Sequence, residues 1–115
     1  MLHHCIEAAE MAADEEISVE VVDLRTIRPL DEDTILKSVK KTGKALIIHE
    51  DTKAGGIGGE VAAIISENAF DYLDGPVTRL AGPEVPAMPF SPTLESEFLL
   101  DADEILEAIL KLATY

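Results

Sequence analysis

The sequence predicts an α/β fold, a three-layer α/β/α sandwich on a mostly parallel sheet. Two observations carry this. Short, apolar, β-branched runs alternate with amphipathic segments of helical period, and most boundaries between them bear a capping or breaking residue. The alternation is clearest from Asp23 to Glu67, which reads strand, helix, strand, glycine turn and helix in succession. Strands separated by helices pair in parallel through right-handed crossovers.

The elements follow in order. Leu2, Cys5, Ile6, Ala9, Ala12 and Ala13 recur at helical spacing with Glu7, Glu10 and Asp14 between them, which predicts an amphipathic helix over 2–13. Val19 to Leu24 (VEVVDL) is β-branched and almost continuously apolar, the pattern of a strand covered on both faces. Pro29 turns the chain, and Asp31 is placed to cap a helix whose first turn holds Glu32 and Asp33. Leu30 and Ile35 flank that cap as a hydrophobic staple. Lys37, Lys40 and Lys41 crowd the other end, and Gly43 supplies a left-handed stop. Ala45 to Ile48 (ALII) is a second strand, ending at His49-Glu50-Asp51.

Gly55, Gly56, Gly58 and Gly59 then turn the chain into a helix from about Gly59 to Phe70, apolar at Val61, Ile64, Ile65 and Phe70. Gly75-Pro76 breaks it, and Val77 to Leu80 is the third strand. Between Gly82 and Leu100 four prolines (Pro83, Pro86, Pro89 and Pro92) exclude a helix. This stretch displays Val85, Met88, Phe90 and Phe98, and should pack partly on the core and partly on a neighbouring subunit or domain. Asp101 caps a closing helix with the stripe Ile105, Leu106, Ile109, Leu110 and Leu112. The whole chain, 1–115, reads as a single domain.

Composition excludes several functions. The 9 basic and 23 acidic residues leave a net charge of -14, the opposite of a nucleic-acid footprint. Such a surface favours a basic partner, though solubility alone also accounts for it. The single cysteine, Cys5, allows no internal disulfide, and no apolar run approaches the ~20 residues that span a bilayer. A soluble protein of a reducing compartment is expected, cytoplasmic or, in a eukaryote, in the mitochondrial matrix.

Three groupings invite a chemical reading. The Gly55–Gly59 turn stands between strand and helix, where backbone amides can approach an anion. Its spacing matches neither the dinucleotide fingerprint nor the P-loop, and Glu60 would repel a phosphate. Tight turning and close helix–sheet packing explain the glycines better. His49, Glu50 and Asp51 lie at the carboxyl end of a strand, where open α/β sheets bind ligands. Neighbours along a strand point to opposite faces, so His49 and Glu50 should diverge, and a structural histidine is favoured over a general base. His3, His4 and Cys5 are adjacent on a helix and do not converge on one ion. Cys5 belongs to the apolar stripe, and nothing nearby activates it for redox work.

The motifs EVVDLRTIRPLD (Glu20 to Asp31), the K-K-T-G-K run (Lys40 to Lys44), IIHED (Ile47 to Asp51) and GGIGGEVAA (Gly55 to Ala63) set the chain among known families. With YLDGPVTRLAGPEVPAMPFSPTLE (Tyr72 to Glu95) and the closing Ala113-Thr114-Tyr115, they resemble one family over almost the whole length. It is the carboxy-terminal, transketolase-like domain of the β subunit of 2-oxo acid dehydrogenases. These are thiamine-diphosphate decarboxylase components acting on pyruvate or branched-chain 2-oxo acids.

The resemblance implies a domain with no catalytic, cofactor-binding or metal residues of its own, thiamine diphosphate and magnesium being held elsewhere in the parent enzyme. It implies assembly instead, with a second β subunit, an α subunit or domain, and the basic subunit-binding domain of the lipoyl acyltransferase as partners. The acidic residue of the L-[DE]-x-P element and the terminal carboxylate receive that basic domain, which carries over to Asp74 and Tyr115. Members of the family have two further strands upstream, the second lying between the equivalents of Val19–Leu24 and Ala45–Ile48. The sheet is therefore expected to lack that strand and to present an empty slot, with marginal stability or strand exchange as the consequence. The contrasting reading is a free-standing flavodoxin-like enzyme that binds phosphate or a nucleotide through Gly55–Gly59.

Overall fold

The computed structural model describes residues 1–82 and 100–115. Its elements are α1 (Leu2–Ala13), α2 (Glu32–Thr42), β1 (Leu46–Thr52), α3 (Ile57–Ala69), a 3-10 turn (Phe70–Tyr72), β2 (Thr78–Gly82) and α4 (Ala102–Ala113). The expectations for the Gly82–Leu100 connection, with Val85, Met88, Phe90 and Phe98, fall almost wholly outside the described residues.

The helix ends form where the sequence places their signals. Asp31 accepts from the Thr34 amide at 3.1 Å and from its hydroxyl at 2.6 Å, so α2 starts with a satisfied cap. Gly43 ends it in the left-handed region at φ 79°, donating to the Val39 carbonyl. Leu30 packs on the cluster containing Ile35, as a staple does. Asp101 accepts from the Glu104 amide at 2.9 Å and starts α4.

β1 and β2 pair in parallel, Leu46 opposite Thr78 and Ile48 opposite Leu80, with a bulge further along β1. Alternation along β1 divides the core. Ile47 faces α2 and α3 with Ile35, Val39, Ala45, Val61 and Ile65. Leu46 and Ile48 face α1 and α4 with Ala8, Ala12, Ile105 and Ile109. Helices thus cover both sides of the sheet, and the predicted sandwich is present.

Three expectations need correction. Among the described residues the sheet has two strands, and Val19–Leu24 joins no ladder although it lies beside the sheet. A strand needs a neighbour. Between this segment and β1 lies a cavity of about 320 Å³ lined by Val19, Val22, Leu24, Leu46 and Ile48 among others.

The buried face of α1 is also rotated from the predicted stripe. Ala8 and Ala12 are fully buried against α4, whereas Leu2 and Ile6 are exposed. Small side chains let the two helices approach, and that contact outweighs the larger residues on the neighbouring face. Finally, Phe70 lies past the end of α3 in the 3-10 turn and is 71% exposed, not part of the buried stripe.

Candidate docking site

Asp74 and Tyr115 come from opposite ends of the second half of the chain, and local structure at each end fixes them. Leu73 is anchored in the α2–α3 core and donates its amide to the Phe70 carbonyl, which aims the chain out of the 3-10 turn. The next amide, of Asp74, donates to the carbonyl of Gly43 at 2.7 Å. Gly43 is favoured by its left-handed φ of 79°, and the Asp74 carboxylate lies over it where a Cβ would stand. The Asp74 side chain is exposed and makes no ion pair among the described residues.

Tyr115 follows the last turn of α4. Its amide donates to the Leu112 carbonyl at 3.2 Å, and the Thr114 hydroxyl closes the helix end on the Lys111 carbonyl at 2.7 Å. The tyrosine then lies against Gly75. A Cβ built on that glycine would stand 3.1 Å from Tyr115 Cβ and 3.3 Å from Cγ. Tyr115 thus lies against the residue that follows Asp74, whose own carboxylate lies over Gly43.

The rest of that area is aromatic and acidic. Phe70, Tyr72 and Tyr115 are 71%, 52% and 63% exposed. Lys40 sits 5.2 Å over the Tyr72 ring, a cation–π arrangement. A shallow groove runs past Ser66, Phe70, Asp71, Leu73 and Gly75. Sequence reasoning missed the exposed aromatics, because Phe70 continues the apolar period of α3 and only the helix end removes it from the core.

The other groupings behave structurally. His49 projects onto α3, where a Cβ on Gly58 would lie 2.5 Å from its Nε2. Both ring nitrogens are buried, without a hydrogen-bond partner among the described residues. Glu50 points the other way and pairs with the Met1 amine at 3.7 Å, so the two diverge as alternation requires. Gly58 thus admits an imidazole between strand and helix. Burial raises the Cys5 thiol above its ordinary pKa, opposed in part by the nearby amino terminus, which makes it a poorer nucleophile. His3 and His4 are exposed on α1, and among the described residues no three His, Cys, Asp or Glu groups converge on a metal position.

Residues 1–105 match the family model described as "Transketolase, C-terminal domain". The chain is 48% identical over 114 residues to the "2-oxoisovalerate dehydrogenase subunit beta" of Bacillus subtilis (strain 168), covering 99% of this chain and 35% of that protein. It is 45% identical over 108 residues to the mitochondrial "Pyruvate dehydrogenase E1 component subunit beta" of Dictyostelium discoideum, covering 94% of this chain and 30% of that one. A solved structure, "Split gene transketolase, inactive beta4 tetramer", superposes with a TM-score of 0.82 at 27% identity, over 98% of this chain and 36% of its own. The chain thus spans about a third of the length of these relatives. With that match over residues 1–105, on an α/β sandwich with capped helices, the chain belongs to the transketolase carboxy-terminal domain family.

Proposed function

We propose that this chain is the assembly and docking domain of the β subunit of a 2-oxo acid dehydrogenase. In the parent enzyme a 2-oxo acid is decarboxylated and its acyl group is passed reductively to a lipoyl group. This domain contributes contacts to a second β subunit and to the α subunit, and a landing site for the basic subunit-binding domain of the lipoyl acyltransferase. The supporting observation is the seating of Tyr115 on Gly75, the neighbour of Asp74, which is exposed and makes no ion pair among the described residues. The net charge of -14 steers a cationic partner toward such a surface.

Thiamine diphosphate supplies the decarboxylation chemistry in the parent enzyme, and the described residues do not fit it. They converge no acidic set for magnesium, and the glycine turn leads into a helix with Glu60 in its first turn. Glu60 likewise disfavours the phosphate-binding reading. Titration of the acyltransferase subunit-binding domain into the intact β subunit, with and without Tyr115, tests the proposal. Loss of affinity on deleting Tyr115 is expected, and unchanged affinity contradicts it.

A further inference from the structure

The area around Asp74 already holds a cation supplied by the chain itself. Lys40, in the last turn of α2, carries its Nζ 5.2 Å over the centre of the Tyr72 ring. The two stretches meet at the end of that helix. The Tyr72 carbonyl and the Asp74 carboxylate both lie over Gly43, and the Asp74 amide donates to the Gly43 carbonyl at 2.7 Å. Lys40 therefore reaches across from α2 to the same turn that presents Asp74.

Helix-end electrostatics favour a lysine at this position, but they do not dictate where its ammonium rests. Lys41, one residue on, turns to the Glu20 carboxylate at 3.3 Å. Lys40 is exposed and makes no ion pair among the described residues, on a chain of net charge -14. It takes the face of the Tyr72 ring instead, and the Asp74 carboxylate is left without an ion pair among the described residues. A half-exposed aromatic face with exposed carboxylates at Asp71 and Asp74 is a seat for an arriving guanidinium or ammonium group. In this chain that seat is filled from within. A cationic partner must displace Lys40 from the ring or dock against a like charge, and either outcome costs affinity.

We infer that Lys40 is a built-in competitor at the docking site: it occupies Tyr72 in the free domain and leaves it when a basic partner binds, so that weakly cationic surfaces are turned away. The inference rests on the docking reading above and adds to it the residue that selects against poor partners.

The test is a titration of the acyltransferase subunit-binding domain into the intact β subunit carrying Lys40→Met, which keeps the length of the side chain and removes its charge. Affinity should rise about two- to fivefold, the equivalent of one exposed cation–π contact that no longer has to be broken. The gain should be largest at low salt, where repulsion is least screened. In a Tyr72→Leu background the same substitution should gain less, because Lys40 then has no ring to block. Unchanged or weaker affinity of the Lys40→Met subunit overturns the inference. An equal gain with and without Tyr72 overturns it too, since it would mark a general charge effect. Deleting Tyr115 in parallel separates the two levels. Weaker binding on that deletion with no gain from Lys40→Met removes the competitor alone, whereas unchanged binding on that deletion removes the docking reading and the competitor with it.

Discussion

Tyr115 rests on the bare backbone of Gly75, so close that a Cβ on the glycine would lie 3.1 Å from the tyrosine's own. Because Tyr115 is exposed and follows the last helix, it can move aside at little cost. Gly75→Ala should therefore change the stability of the domain by less than about 1 kcal/mol while displacing Tyr115. Calorimetric unfolding beside an acyltransferase titration separates the two effects. Weaker docking with a nearly unchanged melting temperature is expected.

Gly58 presents the opposite case. Its neighbour is the buried His49 imidazole, held between β1 and α3, and Ile47 stands 3.4 Å from the same point. Gly58→Ala should cost about 1–3 kcal/mol, the usual result of overpacking. His49→Ala in the same chain should recover much of that loss, so a double-mutant cycle in denaturant should show strong coupling. Additive losses would mean that the imidazole is not the obstacle.

The corrected face of α1 makes a paired prediction. Ala8 is fully buried against Ile105 and Ile109, and Ile6 is 42% exposed. Ala8→Leu should destabilise by about 1–3 kcal/mol, whereas Ile6→Ser should stay within about 0.5 kcal/mol. Urea unfolding of the two variants checks the order, which the stripe read from sequence alone would reverse.

Acid should loosen the α2 region first. The Thr34 hydroxyl, with its amide, holds the Asp31 carboxyl below the usual range, and the Ser38 hydroxyl, with Lys41, does the same for Glu20. Both folded pKa values are depressed, so their stabilisation is present above the unfolded carboxylate pKa and fades as pH falls through the folded value. Asp31→Asn keeps a capping oxygen but cannot titrate there. Its melting temperature should fall less steeply with acidification than that of the parent chain.

What was legible in the sequence was mostly local. Asp31, Gly43 and Asp101 each carry a cap within a few residues of its partner, and all three formed as expected. The alternation of Leu46, Ile47 and Ile48 across β1 could also be read directly. Features that depend on distant chain were not. Val19–Leu24 has the composition of a strand, but a ladder requires a neighbour that its own residues do not specify. The α1 face was obscured because its alanines are weakly apolar, and their importance comes from how closely α4 approaches. The meeting of Tyr115 with Gly75 spans forty positions and has no local signal. Only the resemblance to known β subunits pointed to Asp74 and Tyr115 together.

The docking claim is tested most directly by Asp74→Asn in an intact β subunit, with acyltransferase affinity measured across a range of salt concentrations. A desolvated charge pair that loses one partner costs about 2–5 kcal/mol, and a rim charge mainly alters on-rate and salt dependence. The account predicts weaker binding, a flatter salt dependence and near-normal decarboxylation of the free 2-oxo acid. Unchanged affinity and salt dependence, or loss of the decarboxylation step itself, would contradict it.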